Sequence, residues 1–163
     1  MPSFDIVSEL NMQEVDNAIH QTSKEIATRF DFRGSNAEIS LDKTKKTITM
    51  TVNSEQKLES LLSVLQSKAI KRGIDIKCLD VQKAEPRGGN MWKQDIVLKE
   101  GIDKEFGKKI NVFIRDLQMK VQSSIHDDKV RVTAKQRDDL QAVMQALRAH
   151  TFDLPLQFNN FRD

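Results

Sequence analysis

Ala84-Glu85-Pro86-Arg87-Gly88-Gly89-Asn90 concentrates a proline and paired glycines, the strongest local breakers, and is the one clear linker signal in the chain. It separates residues 1–84 from residues 91–163, with 85–90 as the connection. Two parts of similar length invite a comparison of their patterns.

Before the break, Phe4 and Ile6 alternate with Asp5 and Val7, as in a half-buried strand. Asn11 with Glu14 reads as a capping box, and Val15, Ala18, Ile19, Thr22, Ile26 and Phe30 follow at helical spacing. Arg33-Gly34-Ser35-Asn36 breaks the chain. Ile39 and Leu41 then alternate with Ser40 and Asp42, Asp42-Lys43-Thr44-Lys45 turns, and Ile48, Met50 and Val52 interleave with Thr47, Thr49 and Thr51, which predicts a hairpin. Asn53 with Gln56 opens a second helix carrying Leu58, Leu61, Leu62, Leu65 and Ala69. Gly73 ends it, and Ile74–Val81 reads as a last strand.

After the break the same order returns. Trp92, Ile96 and Leu98 alternate with Lys93, Asp95, Val97 and Lys99. Asp103 caps a helix with Phe106, Ile110, Phe113, Ile114, Leu117 and Val121. A short strand around Ser124-Ile125-His126 turns at Asp127-Asp128 into Val130 and Val132. Thr133 with Gln136 opens a helix carrying Leu140, Val143, Met144 and Leu147, and Leu156 with Phe158 closes on a strand. Each part is strand–helix–strand–strand–helix–strand, the split βαβ order. The predicted fold is α+β: a tandem of two ferredoxin-like βαββαβ domains, each antiparallel sheet covered by two helices on one face and open on the other. The pattern leaves open an exchange of a strand between the halves.

The composition fits that reading. The 163 residues are 38% hydrophobic and 31% charged, as in a soluble globular chain. No run approaches the roughly 18 apolar residues of a membrane span. Met1-Pro2-Ser3-Phe4-Asp5 lacks the basic-then-apolar pattern of a signal peptide. Cys78 is the single cysteine, which excludes an intrachain disulfide and a multi-cysteine zinc site. The expectation is a cytoplasmic protein with no membrane contact. The net charge of +2 falls wholly in residues 85–163. So small a charge steers a polyanion weakly, and an anion site must be a local patch.

Period-two alternation names the side chains facing away from the helices. In the first half they are Asp5, Val7, Glu9, Glu38, Ser40, Asp42, Thr47, Thr49 and Thr51, an acidic and hydroxylated surface. In the second they are Lys93, Asp95, Val97, Lys99, Lys129, Arg131, Thr133, Gln157 and Asn159, with four cations against one carboxylate. An anionic ligand is expected there. Arg131 offers a bidentate fork for a phosphate, and Lys93, Lys99 and Lys129 act as point charges. Asn159 and Arg162 in the terminal strand, and Arg33 beside Gly34, are further candidates. Phe30 and Phe32 read as core. Lys46–Val52 and Lys129–Thr133 carry no aromatic residue, so the base-stacking platform of RNA-recognition domains is missing from the sheets.

No catalytic constellation accompanies these residues. Asp138 and Asp139 begin a helix, where carboxylates complement the dipole. His20, His126 and His150 have no metal-ligand spacing. Neither the Gly-x-x-x-x-Gly-Lys-[Ser/Thr] loop nor the Gly-x-Gly-x-x-Gly fingerprint occurs. The chain is therefore expected to be non-enzymatic, with no metal and no cofactor.

Several segments carry a resemblance. Ser3-Phe4-Asp5-Ile6-Val7-Ser8, Phe30-Asp31-Phe32-Arg33-Gly34-Ser35, Ile110-Asn111-Val112-Phe113-Ile114-Arg115-Asp116, Lys120-Val121-Gln122, Val130-Arg131-Val132-Thr133, Arg137-Asp138-Asp139-Leu140-Gln141 and Gln157-Phe158-Asn159-Asn160-Phe161-Arg162 together resemble the bacterial YajQ family, over essentially the whole chain. The resemblance implies tandem ferredoxin-like domains and a cytosolic nucleotide-binding protein. Its expected partners are GTP, ATP, RNA or a cyclic dinucleotide. The expected site lies on the second sheet or in the crevice between the halves. An alternative is a regulatory module that contacts a protein partner and is tuned by cyclic di-GMP.

Overall fold

The first strand, β1 (Ser3–Val7), pairs with no strand of the first half. In the computed structural model, which describes residues 1–163, it lies between β8 (Lys129–Ala134) and β9 (Gln157–Arg162), antiparallel to both. With β7 (Val121–His126) the sheet order is β7-β8-β1-β9. In the other direction, β6 (Met91–Leu98) joins β3 (Thr47–Val52) and β4 (Leu79–Val81), and β2 (Glu38–Asp42) completes the order β2-β3-β6-β4. Each half thus gives its first strand to the other's sheet. The chain divides into a terminal unit, residues 1–9 with 100–163, and a central unit, residues 10–99.

Each unit has its own core. In the terminal unit Phe4 and Ile6 of β1 and Val130 and Val132 of β8 are fully buried against two helices. These are α3 (Lys104–Asp116), through Phe106, Ile110 and Ile114, and α4 (Arg137–Ala149), through Leu140, Val143 and Leu147. In the central unit Ile96 and Leu98 of β6 join Ile48, Met50 and Val52 of β3. Over them lie α1 (Met12–Thr28), through Val15 and Ile19, and α2 (Glu55–Lys71), through Leu58, Leu61 and Leu65. Each such side chain contributes about 1.5–3 kcal/mol on burial. The fold class is the α+β, twice ferredoxin-like arrangement expected, with two helices on one face of each antiparallel sheet.

The boundary expected at 85–90 is corrected. Glu85–Arg87 forms a short strand, β5, that pairs with β6 in the register Glu85↔Lys93 and Arg87↔Met91. Gly88-Gly89-Asn90 is the hairpin tip, with φ of 77° at Gly89 and 61° at Asn90. Proline and glycine break the chain here by turning it back on itself, and Pro86 sits on an edge strand, where its missing N–H costs no ladder bond. The units therefore part near residues 9–10 and 99–100 rather than at 84 and 91.

Local signals mostly carry through. The Asn11 side chain accepts from the backbone N–H of Gln13 and Glu14, and Asp103 accepts from Phe106 at 2.8 Å. Glu14 does not reach back to complete a capping box. Its carboxylate instead takes Arg72 at 2.7 Å, tying α1 to the end of α2. Thr133 remains in β8, and α4 begins at Arg137 without a side-chain cap. Ile76–Cys78 is a turn of 3-10 helix that shortens the last strand of the first half to β4.

Candidate functional site

The strand exchange redistributes the polar faces. Lys93 lies on β6 in the central unit, where its Nζ is 3.5 Å from Asp95 Oδ2, and Lys99 follows the end of the same strand. Neither shares a sheet with Lys129 and Arg131, so the four expected cations are divided between the two units. The central sheet presents Glu38, Ser40, Asp42, Thr47, Thr49 and Thr51 with Lys93 and Asp95, and the Thr49 hydroxyl donates to Asp95 at 2.9 Å. That face is acidic, and its one lysine is paired.

The face of the terminal sheet turned away from its helices keeps Lys129, Arg131, Asn159 and Arg162, while Ser3, Asp5 and Val7 at its centre are buried. Strand register sets Ser124 opposite Arg131, Arg131 opposite Asp5, and Asp5 opposite Asn159. The result is one row across all four strands. Arg131 Nε donates to Asp5 Oδ1 at 2.9 Å, and Asn160 Nδ2 donates to Asp5 Oδ2 at 2.8 Å. Arg162 Nε in turn reaches Asn160 Oδ1 at 3.3 Å. Asn160 reaches Asp5 because β9 bulges there, with φ of 55° at Asn160 and a register shift against β1.

Asp5 is 1% exposed. Burial alone pushes its carboxyl up. The hydrogen bonds from Arg131 and Asn160, with the charges of Arg131 and Lys129, outweigh burial and hold it below the usual carboxylate value. The bond to Asp5 raises the Arg131 guanidinium correspondingly. Arg131 spends only Nε on this contact. Its two terminal nitrogens have no partner, and its side chain is 35% exposed. A guanidinium clamped at Nε and free at its fork is pre-set for bidentate recognition of a phosphate. Lys129 on the same strand makes no ion pair, and the Ser124 hydroxyl lies 2.9 Å from His126 Nε2. Three cations, Lys129, Arg131 and Arg162, stand against the single carboxylate of Asp5.

The remaining candidates fall elsewhere. Arg33 belongs to the central unit, where its guanidinium lies 5.4 Å from the Phe30 ring centre. Phe32 is buried as expected, but Phe30 is 81% exposed, which corrects its reading as core. Asp138 and Asp139 line a cavity of about 980 Å³ together with Lys120, Lys135 and Gln136. The histidines have separate neighbours: His20 is 3.7 Å from Asp16, His126 contacts Ser124, and His150 packs on Phe113 and Phe152. Sequence reading missed the Asp5–Arg131 contact because it set the two residues in different domains. No helix is long and apolar enough to cross a membrane.

Comparison with known proteins covers the chain end to end. Residues 2–162 match the family model described as "Nucleotide-binding protein YajQ-like". A protein of Acinetobacter baumannii named "Nucleotide-binding protein ABAYE0515" is 52% identical over 163 residues, all of both chains. A "Nucleotide-binding protein" of Acidithiobacillus ferrooxidans is 48% identical over the same span. Another of that name from Geotalea daltonii is 50% identical over 162 residues, 99% of each chain.

Proposed function

The chain belongs to the YajQ-like family of nucleotide-binding proteins, and from that premise we propose that it binds a phosphate-bearing nucleotide at Arg131 and Lys129, on the face of the β7-β8-β1-β9 sheet turned away from its helices, without turning it over. The observation that carries the reading is the Arg131 guanidinium, anchored at Nε by Asp5 with both terminal nitrogens unpaired. A phosphate there meets two parallel N–H donors, with Lys129 adding charge, Asn159 completing the row and Arg162 opposite Ser3. Strands β7, β8 and β1 bring no Phe, Tyr or Trp to this face, and their one ring there is the His126 imidazole opposite Lys129, so recognition runs chiefly through phosphate and polar groups. That suits GTP, ATP, a cyclic dinucleotide or the backbone of RNA. Cys78 is buried and in no disulfide, in keeping with binding in the reducing cytosol.

A thermal-shift panel of GTP, ATP, cyclic di-GMP and a short RNA tests the proposal. A ligand at a hundredfold excess over its Kd stabilises the folded state by about 2.7 kcal/mol. At least one member should raise the melting temperature of the wild type and do so less in Lys129→Ala. No shift with any member would contradict the reading. Conversion of a bound nucleotide to product by the purified protein would overturn the absence of turnover.

A further inference from the structure

The central unit has its own polar opening, and the strand exchange changes its charge. Residues 10–99 hold fifteen basic and twelve acidic side chains, a net +3, against a net −1 for residues 1–9 with 100–163. The turn Phe30–Phe32 follows α1 and divides its two phenylalanines. Phe32 goes into the core and Phe30 outward, at 81% exposed.

Two arginines flank this turn and are treated differently. Arg29 is saturated: Nη2 pairs with Asp31 at 2.8 Å and Nη1 with Glu25 at 3.4 Å. Arg33 has no carboxylate partner and rests against the Phe30 ring. The same Arg33 lines a cavity of about 480 Å³, within the size range of small-molecule sites. Gly34 in the wall has a φ of 71°, and an added Cβ would meet nothing within 4 Å, so the backbone there faces open space. Ser23 and Ser40 bring hydroxyls to the wall, and Glu38 brings an acceptor.

We propose that Arg33, on the cavity wall, and the Phe30 ring, outside that wall but against Arg33, form a second nucleotide subsite, in which Arg33 takes a phosphate and the exposed Phe30 ring stacks a base. The two groups set an exposed aromatic surface against a cation that has no carboxylate partner. Base–aromatic stacking tolerates any base because each has a π-face. A guanidinium held against the ring presents its edge to a phosphate while the ring keeps a free surface. Glu38 accepts only, which suits a sugar hydroxyl or a base N–H and sends the phosphate to the Arg33 side. The recognised unit is a single nucleotide, free or within a single strand.

The test uses the full chain, with GMP in calorimetry and fluorescein-labelled oligouridylate in anisotropy. Phe30 is exposed and Arg33 unpaired, so Phe30→Ala and Arg33→Ala should fold as the wild type does, which circular dichroism checks. Phe30→Ala should bind one GMP fewer per chain and weaken oligouridylate by about 5- to 100-fold, and Phe30→Trp should restore both. Arg33→Ala should lower the salt slope of oligouridylate binding by about one. GMP competing with oligouridylate would show that the subsite takes a free nucleotide; oligouridylate binding lost in Phe30→Ala without GMP binding would assign it to a strand. Unchanged binding in a folded Phe30→Ala protein would overturn the proposal. Loss on Lys129→Ala with none on Phe30→Ala would overturn it too, and would leave the terminal-sheet site standing. A wild type that binds neither probe would overturn the subsite, whereas the terminal-sheet reading falls only if GTP, ATP and cyclic di-GMP also fail to bind.

Discussion

Asp5 and Arg131 are 126 residues apart in sequence and neighbours across two strands, joined by a 2.9 Å bond from Arg131 Nε to Asp5 Oδ1. The contact exists only because β1 leaves the half of the chain in which it begins. It links the exchange of strands to the chemistry of the face.

Its first consequence is a pH dependence. The folded protein holds the Asp5 carboxyl below its usual value of 3.8, so the folded state binds fewer protons than the unfolded chain as the pH falls. The stabilisation is complete above the unfolded value and disappears as the pH drops through the folded one. Asp5→Asn should lower stability at neutral pH by about 1–3 kcal/mol, the range for a lost charged hydrogen bond. It should also flatten the fall in urea midpoint towards acid. Some acid sensitivity should remain, since Glu25, Asp31 and Asp163 are also held below their usual values, by Lys68, Arg29 and Arg137 respectively. An unaltered acid profile would separate Asp5 from the effect.

A second consequence concerns which pieces of the chain fold. Residues 10–99 contain every strand of the central sheet, including the β6 residues Ile96 and Leu98 that complete its core. Residues 1–84 lack β6, and residues 91–163 lack β1 with Phe4 and Ile6. The 10–99 fragment should give dispersed amide resonances and a cooperative melt, and neither half cut at the Pro86 segment should. A cooperative 91–163 fragment would argue against the exchange.

Much of the fold was legible because alternation and helical spacing are local. Ile48, Met50 and Val52 announce a half-buried strand wherever that strand goes. The destination of β1 and β6 was not legible for the same reason: Phe4 and Ile6 alternate identically whichever pair of helices covers them. Pro86 and the two glycines were correctly read as a breaker, but a hairpin tip and a linker use the same residues. Lys129, Arg131, Asn159 and Arg162 were found by strand face. Their buried carboxylate was not, because pairing across 126 residues leaves no periodic trace. Phe30 and Phe32 lie two positions apart in a turn too short to show any period.

Gly107 offers a test of packing in the terminal unit. It is buried in α3, and an added Cβ would lie 3.1 Å from both Cδ1 and Cγ1 of Ile125 on β7. Gly107→Val adds two further carbons to that contact and should destabilise by about 1–3 kcal/mol through overpacking. Gly107→Val with Ile125→Ala should recover part of the loss. Equal urea midpoints for wild type and Gly107→Val would show that β7 gives way freely.

The hairpin tip can be checked by one residue. Gly89 has a φ of 77°, in the left-handed region that an L side chain enters at a cost of about 1–2 kcal/mol. Gly89→Val should lower stability by that order, whereas Gly88→Ala, at ordinary φ and with open space around it, should change it little. Two neutral substitutions in a melting experiment would favour a loose connection.

The central claim is that Arg131 grips a phosphate with a fork that Asp5 holds in place. Arg131→Lys keeps a cation for Asp5 and removes the two free terminal nitrogens. The measurement is the Kd of the best ligand in the nucleotide panel for wild type and Arg131→Lys, with circular dichroism as the check on folding. The expected result is a folded variant whose affinity is lower by about tenfold, the effect of losing about 1.4 kcal/mol of binding. A folded Arg131→Lys protein with wild-type affinity would contradict it.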